Sequence, residues 1–152
     1  MKNLAVTVAL ILFIIALPVH ASSPARKETI EQVVKELSDA YMAKTLGKLD
    51  AEHPYMAKVK IVIEHSLGEG KDQFEVKEFK TLEKGEQWLK SREREDGTPF
   101  REVRTLAGCK RGLCTYDFDG GILHNHLYIQ KIAYGYRNGS PYIKTIYLLD
   151  GD

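Results

Sequence analysis

The sequence predicts an α+β domain in which an N-terminal helix packs on a curved, mainly antiparallel sheet, in the order helix, short helix, two strands, helix, four strands. Three observations predict it. Ile30, Val33, Val34, Leu37 and Tyr41 recur at helical spacing near the start. Val59, Ile61 and Ile63 alternate with Lys60, Val62 and Glu64, the period of a strand with one dry face. The stretch from Gly121 to Asp152 holds two runs rich in Ile, Leu and Tyr around Asn138-Gly139, the dipeptide that best tolerates the two positive φ angles of a type I′ hairpin turn.

Taken in order, the chain opens with Lys2, an uncharged apolar run from Leu4 to Leu17, Pro18, and Val19-His20-Ala21, the pattern of a cleaved export signal over residues 1–21. The run is shorter than the roughly 20 residues a spanning helix needs, so no stable membrane anchor is expected after cleavage. Residues 22–152 then form a single domain, exported to the periplasm or secreted. Ser23-Pro24 opens a helix from about Ala25 or Glu28 to Leu46, with Glu31 and Lys35 paired on its wet side and Gly47 ending it. Leu49 to His53 suits one short helical turn. Lys58 to His65 and Phe74 to Phe79 are strands, the second with Phe74, Val76 and Phe79 inward.

Thr81 caps a second helix, TLEKGEQWLKSRE, in which Gly85 costs about 1 kcal/mol and Trp88 supplies packing. The charged run SREREDGTP that follows reads as a solvated exit. Beyond Pro99 the expected strands are Phe100 to Ala107, Leu113 to Phe118, and the two arms of the final hairpin. A two-residue turn at Asp119-Gly120 places Thr115 opposite His124 and Leu113 opposite His126, so that Asp117, His124 and His126 share a face. The Asn138-Gly139 turn sets Tyr136 opposite Pro141, Tyr134 opposite Ile143, Ile132 opposite Thr145, Gln130 opposite Tyr147 and Tyr128 opposite Leu149. One face of this hairpin carries His126, Tyr128, Gln130, Ile132 and Tyr134, the other Leu127, Ile129 and Ala133. Both are too apolar for water.

Composition excludes some functions. Without Lys2 the chain has 21 basic and 21 acidic side chains, which leaves neither a nucleic-acid footprint nor attraction to anionic lipid. Both cysteines, Cys109 and Cys114 in GCKRGLC, lie in the exported part and are expected to form a disulfide across a tight turn. A ring this small contributes only about 2 kcal/mol by loop entropy, so its use is to fix a hairpin end. The spacing lacks the CxxC pattern of redox or metal sites.

The chemistry-bearing candidates are few. His124 and His126, at period two on one strand face, are weak candidates for metal ligands, with Asp117, His65 or His53 as a third. The same Asp117, His124 and His126 are weak candidates for acid–base catalysis, since a carboxylate orients and charges an imidazole near neutral pH. Their bland reading is a pair of hydrogen-bonded histidines at a sheet end. The tyrosines of the last strands, Tyr128, Tyr134 and Tyr147, are candidates for ligand contact, with sheet packing as the bland alternative. No motif calls for a cofactor, and no nucleophile elbow or phosphate-cradling glycine loop is present. Asn138-Gly139-Ser140 matches a glycosylation sequon but reads as a turn.

The element order, with AYMAKTLGKLDA from Ala40 to Ala51 as a Gly-x-Leu-Asp-Ala step into a short second helix, resembles the nuclear-transport-factor-2-like (SnoaL-like) fold within the cystatin-like group. The resemblance covers the exported chain at the level of topology. It implies a cone between helix and sheet that holds a ligand, and, in the enzymes of that group, an Asp or His deep inside it. Here Asp117, His124 or His126 would fill that role.

Together these readings favour a small exported binding or interaction protein without catalytic activity. Its small ligand or protein partner would be held by the sheet or its cone, with a second copy meeting the C-terminal sheet. A SnoaL-like lyase or isomerase using the Asp/His face is one alternative; an inhibitor of a secreted enzyme, using Leu67 to Asp72 or the Lys110-Arg111 tip, is another. The intact mass of the exported protein should correspond to a chain beginning at Ser22; retention of residue 1 in the membrane fraction would instead make the apolar run an anchor.

Overall fold

The computed structural model describes residues 28–52, 58–66, 72–93, 95 and 99–151. The expected export signal, Ser23-Pro24, His53 and residues 67–71 lie outside the described residues.

Helix α1 (Ile30–Met42) begins where the chain can satisfy its own first turn: the Gln32 amide donates to the Thr29 hydroxyl (3.3 Å) and the Thr29 amide to the Gln32 side chain (2.9 Å). Its apolar stripe, Ile30, Val33, Val34, Leu37 and Tyr41, is buried. The helix stops before Leu46, because Lys44 takes a left-handed φ of 56° and the Thr45 amide turns back to the Ala40 carbonyl. On the wet side Lys35 pairs with Asp39 (2.5 Å).

A 3₁₀ turn (Leu46–Lys48) and the short helix α2 (Leu49–Glu52) follow. Asp50 projects from this step onto the start of helix α3 (Leu82–Lys90), where its carboxylate accepts from the Leu82 and Glu83 amides at 2.8 and 2.9 Å. Two amides that a helix start leaves without partners are satisfied in this way. Gly85 is buried against β1; a Cβ there would stand 3.1 Å from Ile61 Cδ1, so the glycine sets how closely α3 approaches the sheet.

The sheet has seven strands: β1 (Val59–Ser66), β2 (Asp72–Phe79), β3 (Phe100–Glu102), β4 (Leu106–Lys110), β5 (Leu113–Tyr116), β6 (His126–Arg137) and β7 (Ser140–Asp150). Their order is β2-β1-β7-β6-β5-β4, with β3 paired parallel to the start of β6 and β1 parallel to β7. The expected strand Phe100 to Ala107 is therefore two strands. Residues 103–105 leave the ladder, since β3 joins β6 while β4 joins β5. The disulfide between Cys109 and Cys114 is formed (2.05 Å) across the Arg111-Gly112 turn, whose φ values of 51° and 83° are those of a tight hairpin.

The final hairpin follows its turn and then departs from simple alternation. Asn138 and Gly139 adopt φ of 51° and 78°, and Tyr136 faces Pro141 and Tyr134 faces Ile143. Next, Ala133 pairs with Thr145, so Lys144 is skipped; Ile132 faces Ile146 rather than Thr145, and Lys131 rather than Gln130 faces Tyr147. Then Ile129 pairs with Leu148, so Gln130 is skipped, and Tyr128 again faces Leu149. One bulge on each strand cancels the other. Each inverts which face a side chain takes. As a result Leu127, Ile129, Ile132 and Tyr134 all join Ile143, Ile146 and Leu148 beneath α1, and the expected grouping of Ile132 and Tyr134 with His126 and Tyr128 is overturned.

Among the described residues, the core between α1, α3 and the sheet contains one charged centre. Arg101, on β3, has a side chain only 2 % exposed. It donates from Nη1 and Nη2 to the two carboxylate oxygens of Glu86 (2.9 and 2.8 Å), from Nε to Glu93 (3.0 Å) and from Nη1 to the Tyr41 carbonyl (3.1 Å), and its guanidinium lies 5.1 Å over the Tyr41 ring. Burial opposes the guanidinium charge, yet the hydrogen bond and charge of Glu86 outweigh it and hold the Arg101 pKa above its ordinary value. Lys44 closes the other oxygen of Glu93 at 2.7 Å. The charged run after α3 is thus partly structural rather than a solvated exit. Arg92 likewise reaches back to Glu75 on β2 and lies over the Trp88 ring.

Removing one partner of this bidentate pair strands a buried charge, which costs about 3–5 kcal/mol. Arg101→Met and Glu86→Leu should each lower the unfolding free energy measured in urea by that much, and the double variant should recover a large part of the loss. Two buried tyrosines give a pH dependence. Burial raises Tyr41 and Tyr116 above the ordinary value of 10.0, and for Tyr116 a hydrogen bond with Ser38 (2.7 Å) opposes the rise without cancelling it. Because the folded pKa lies above the unfolded one, their stabilisation is complete below about pH 10 and is lost as pH rises through the folded values. Unfolding followed between pH 8 and 12 should show falling stability only above about pH 10, with a shallower fall in Tyr41→Phe.

Candidate functional site

The two faces of the sheet differ in what covers them. The inner face lies against α1 and α3 and is filled by fully buried side chains, among them Leu37, Tyr41, Ile61, Ile129, Ile132 and Ile143. The outer face can be read from the register. Across it, Val76, Val62, Tyr147, Lys131 and Thr115 lie side by side on β2, β1, β7, β6 and β5, with Phe74, Glu64, Leu149 and Tyr128 as the next row. The expectation that Phe74 and Val76 point inward is overturned. Their neighbours Glu75 and Lys77 oppose the core residues Ile63 and Ile61, which leaves Phe74 61 % and Val76 52 % exposed on the outer side. Phe79 of that strand packs on the core.

The β6 end of this outer face is covered by the chain itself. Residues 117–125 do not make the expected two-residue turn. Asp117 accepts from the Asp119 amide (3.1 Å), Asn125 takes a φ of 60°, and its amide reaches the Gly151 carbonyl (3.0 Å). Strand β3 occupies the edge of β6 at His126–Tyr128, so β5 pairs farther along, Leu113 with Ala133 and Thr115 with Lys131. The predicted opposition of Thr115 to His124 and of Leu113 to His126 is therefore wrong. Tyr128 is fully buried under the loop: its ring meets Phe118 edge-on (5.6 Å), stacks on His126 (5.8 Å) and has the Arg104 guanidinium 5.1 Å above it, while its hydroxyl accepts from the Leu123 amide at 2.9 Å. Gly151 seals the far side, since a Cβ there would lie 2.3 Å from the Leu123 carbonyl oxygen.

The candidate residues fall as follows. Asp117 and His124 are exposed on the loop, and His126 alone begins the strand, its Nδ1 2.8 Å from Glu102. His124 and His126 are thus not a strand pair sharing one face, because β6 starts at His126 and the left-handed Asn125 breaks the alternation between them. Among the described residues, no cluster of three or more His, Cys, Asp or Glu side chains is placed to hold a metal ion. Tyr134 is buried on the inner side, where it borders a groove of about 540 Å³ at the start of α1 with Tyr136, Thr29 and Cys109. Tyr147 is half-buried on the outer face, with Lys131 Nζ 4.8 Å over its ring.

His65, expected only as a possible third metal ligand, lies between two carboxylates. His65, near the end of β1, has Nδ1 2.9 Å from Asp150 and Nε2 3.8 Å from Glu75, tying β1 to both neighbouring strands. His65 carried one signal in the sequence: its place two residues past Ile63 on the dry side of the β1 pattern. The buried Glu86 carried one as well, lying four residues after Leu82 and three before Leu89 on the stripe that α3 buries.

No family model matches the chain, and comparison with curated proteins and with solved structures gives no match. The functional reading therefore rests on the geometry alone.

Proposed function

We propose that this chain is a small exported interaction protein without catalytic activity, whose partner docks on the outer face of β2, β1 and β7. One observation carries the reading: Phe74 and Val76 stand 61 % and 52 % exposed on a sheet face that the helices leave open, in line with Val62 and Tyr147. Contiguous apolar surface of this kind marks a contact site more often than ordinary exterior. Tyr147 suits such a surface, having an apolar body and a polar tip. The apolar run before Ala21 and the disulfide support an exported, oxidising setting, periplasmic or secreted. We propose a fold of the nuclear-transport-factor-2-like kind, a reading that element order and the helix-on-sheet arrangement support.

The lyase or isomerase reading draws no support from Asp117 and His124, which face solvent from a loop instead of a closed apolar pocket. The inhibitor reading retains one favourable feature. Lys110 and Arg111 are exposed at a hairpin tip held rigid by Cys109–Cys114, the form of an element that enters a cleft. Its other expected loop, residues 67–71, lies outside the described residues.

A photo-cross-linking side chain placed at position 74, at 111 and at Met42 on α1 separates these readings in cells exporting the protein. Docking on the outer face gives an adduct at 74 and none at 42. An adduct confined to 111 would replace the proposal with the inhibitor reading, and equal labelling at 74 and 42 would refute a defined face.

A further inference from the structure

Strand β2 is the terminal strand of the sheet, and among the described residues its outer edge has no neighbour. Its register against β1 runs unbroken from Asp72 to Phe79, and the strand contains no proline. An open edge of this length is ordinarily blunted; on β2 the charges of Glu75, Lys77 and Glu78 do this, opposing most pairings while leaving one of matching charge open. The opposite edge is blunted by its shape: β4 is five residues long, irregular between Leu106 and Gly108, and bonded to β5 through Cys109–Cys114.

The free groups on the β2 edge can be identified. The Lys58 amide donates to the Lys80 carbonyl (3.4 Å), which makes residues 58 and 80 a hydrogen-bonded pair. Such pairs alternate in an antiparallel ladder, so residues 74, 76 and 78 turn their amides and carbonyls toward β1, while 73, 75, 77 and 79 aim theirs outward. We propose that this edge pairs antiparallel with the same edge of a second copy of the chain, about a two-fold axis at Val76, joining the two sheets into one.

Charge selects the register. A two-fold at Val76 sets Glu75 opposite Lys77 of the second copy, twice, with both residues presenting outward hydrogen-bonding groups. A two-fold at Glu75, Lys77 or Glu78 sets a like charge against itself, and one at Phe74 shortens the overlap to residues 72–76. Opposite charges across a strand pair stabilise it and like charges oppose it. The Val76 register also brings the exposed Phe74 and Val76 of both copies together on the outer face, Val76 against Val76. This pairing uses the strand edge, not the C-terminal sheet where sequence reasoning expected a second copy, and it holds whether or not another protein docks on the outer face. One strand from each copy is a small contact beside the roughly 1,600 Å² of a standard interface, so the association is weak, in the micromolar range.

Sedimentation of the full exported chain from about 5 to about 500 μM tests this. A concentration-dependent dimer is expected; a monomer throughout would overturn the proposal. K77E places Glu75 against a glutamate and E75K places Lys77 against a lysine, so each alone should weaken association at least tenfold. Mixed in equal amounts they should recover a heterodimer, because every opposed pair is then opposite in charge. Circular dichroism and melting confirm that each variant folds. Dimerisation of K77E at native strength, or failure of folded variants to recover on mixing, would also overturn it. The axis is read separately: Val76 faces itself across a non-hydrogen-bonded pair, with Cα atoms about 4.5 Å apart, within disulfide reach. V76C should therefore cross-link in a glutathione buffer at least tenfold faster than F74C, and equal rates would exclude this register.

Discussion

Everything on the inner side of this protein is arranged around one buried cation. Arg101 takes the carboxylate of Glu86 from α3, that of Glu93 just beyond it and the Tyr41 carbonyl from the end of α1, while its own strand hydrogen-bonds to β6. A guanidinium has five donors in a fixed plane, so the positions of its acceptors are nearly determined once its own is set. Helices of only 13 and nine residues would otherwise have latitude in how they sit on a sheet. The ion pair adds little net stability over an apolar substitute, but its geometry is demanding. That demand explains the short excursion of β3, which leaves the ladder after three residues, long enough to deliver Arg101 beneath α1.

The inner arrangement determines the outer one. Once α1 and α3 occupy one face, the loop of residues 117–125 crosses to the other and buries Tyr128 beneath Phe118, Arg104 and Leu123. The outer sheet is then divided: its β6 end is sealed, and its β2 and β1 end is open. Polar groups that looked catalytic in the sequence serve this sealing. Asp117 shapes the loop through the Asp119 amide, and His126 is sandwiched between Phe100 and Tyr128 while bonded to Glu102.

Most of the secondary structure could be read from the sequence because its signals are local. Thr81, Asn138-Gly139 and the Cys109–Cys114 turn each specify their conformation within a few residues, and each is found where expected. Thr29 caps α1 by an equally local signal, its capping box with Gln32, in a place where Ser23-Pro24 is the expected opening. What could not be read depends on contacts distant in sequence. Glu86 and Arg101 look like surface residues until each is seen to be the other's partner. The strand from Phe100 could not be divided without knowing that β6 would accept its first half. On the hairpin the faces escape simple alternation for a subtler reason: Gln130 and Lys131 are adjacent polar residues inside an apolar strand, a break in period two that marks a bulge. On β2 the reason is different: its register is unbroken, but hydrophobicity alone points Phe74 and Val76 inward, while their partners Glu64 and Val62 sit on the far side.

The two bulges carry a consequence for how this chain can change. Each skipped residue, Lys144 on β7 and Gln130 on β6, has no partner across the ladder. Losing either one would leave every other pair of the hairpin opposed as before and would restore plain alternation at that point. Losing a paired neighbour would instead draw the skipped side chain into the ladder: without Ile129, Gln130 would take its place beneath α1. The two bulges are thus the places where this hairpin can shorten by one residue without exchanging its dry face for its wet one.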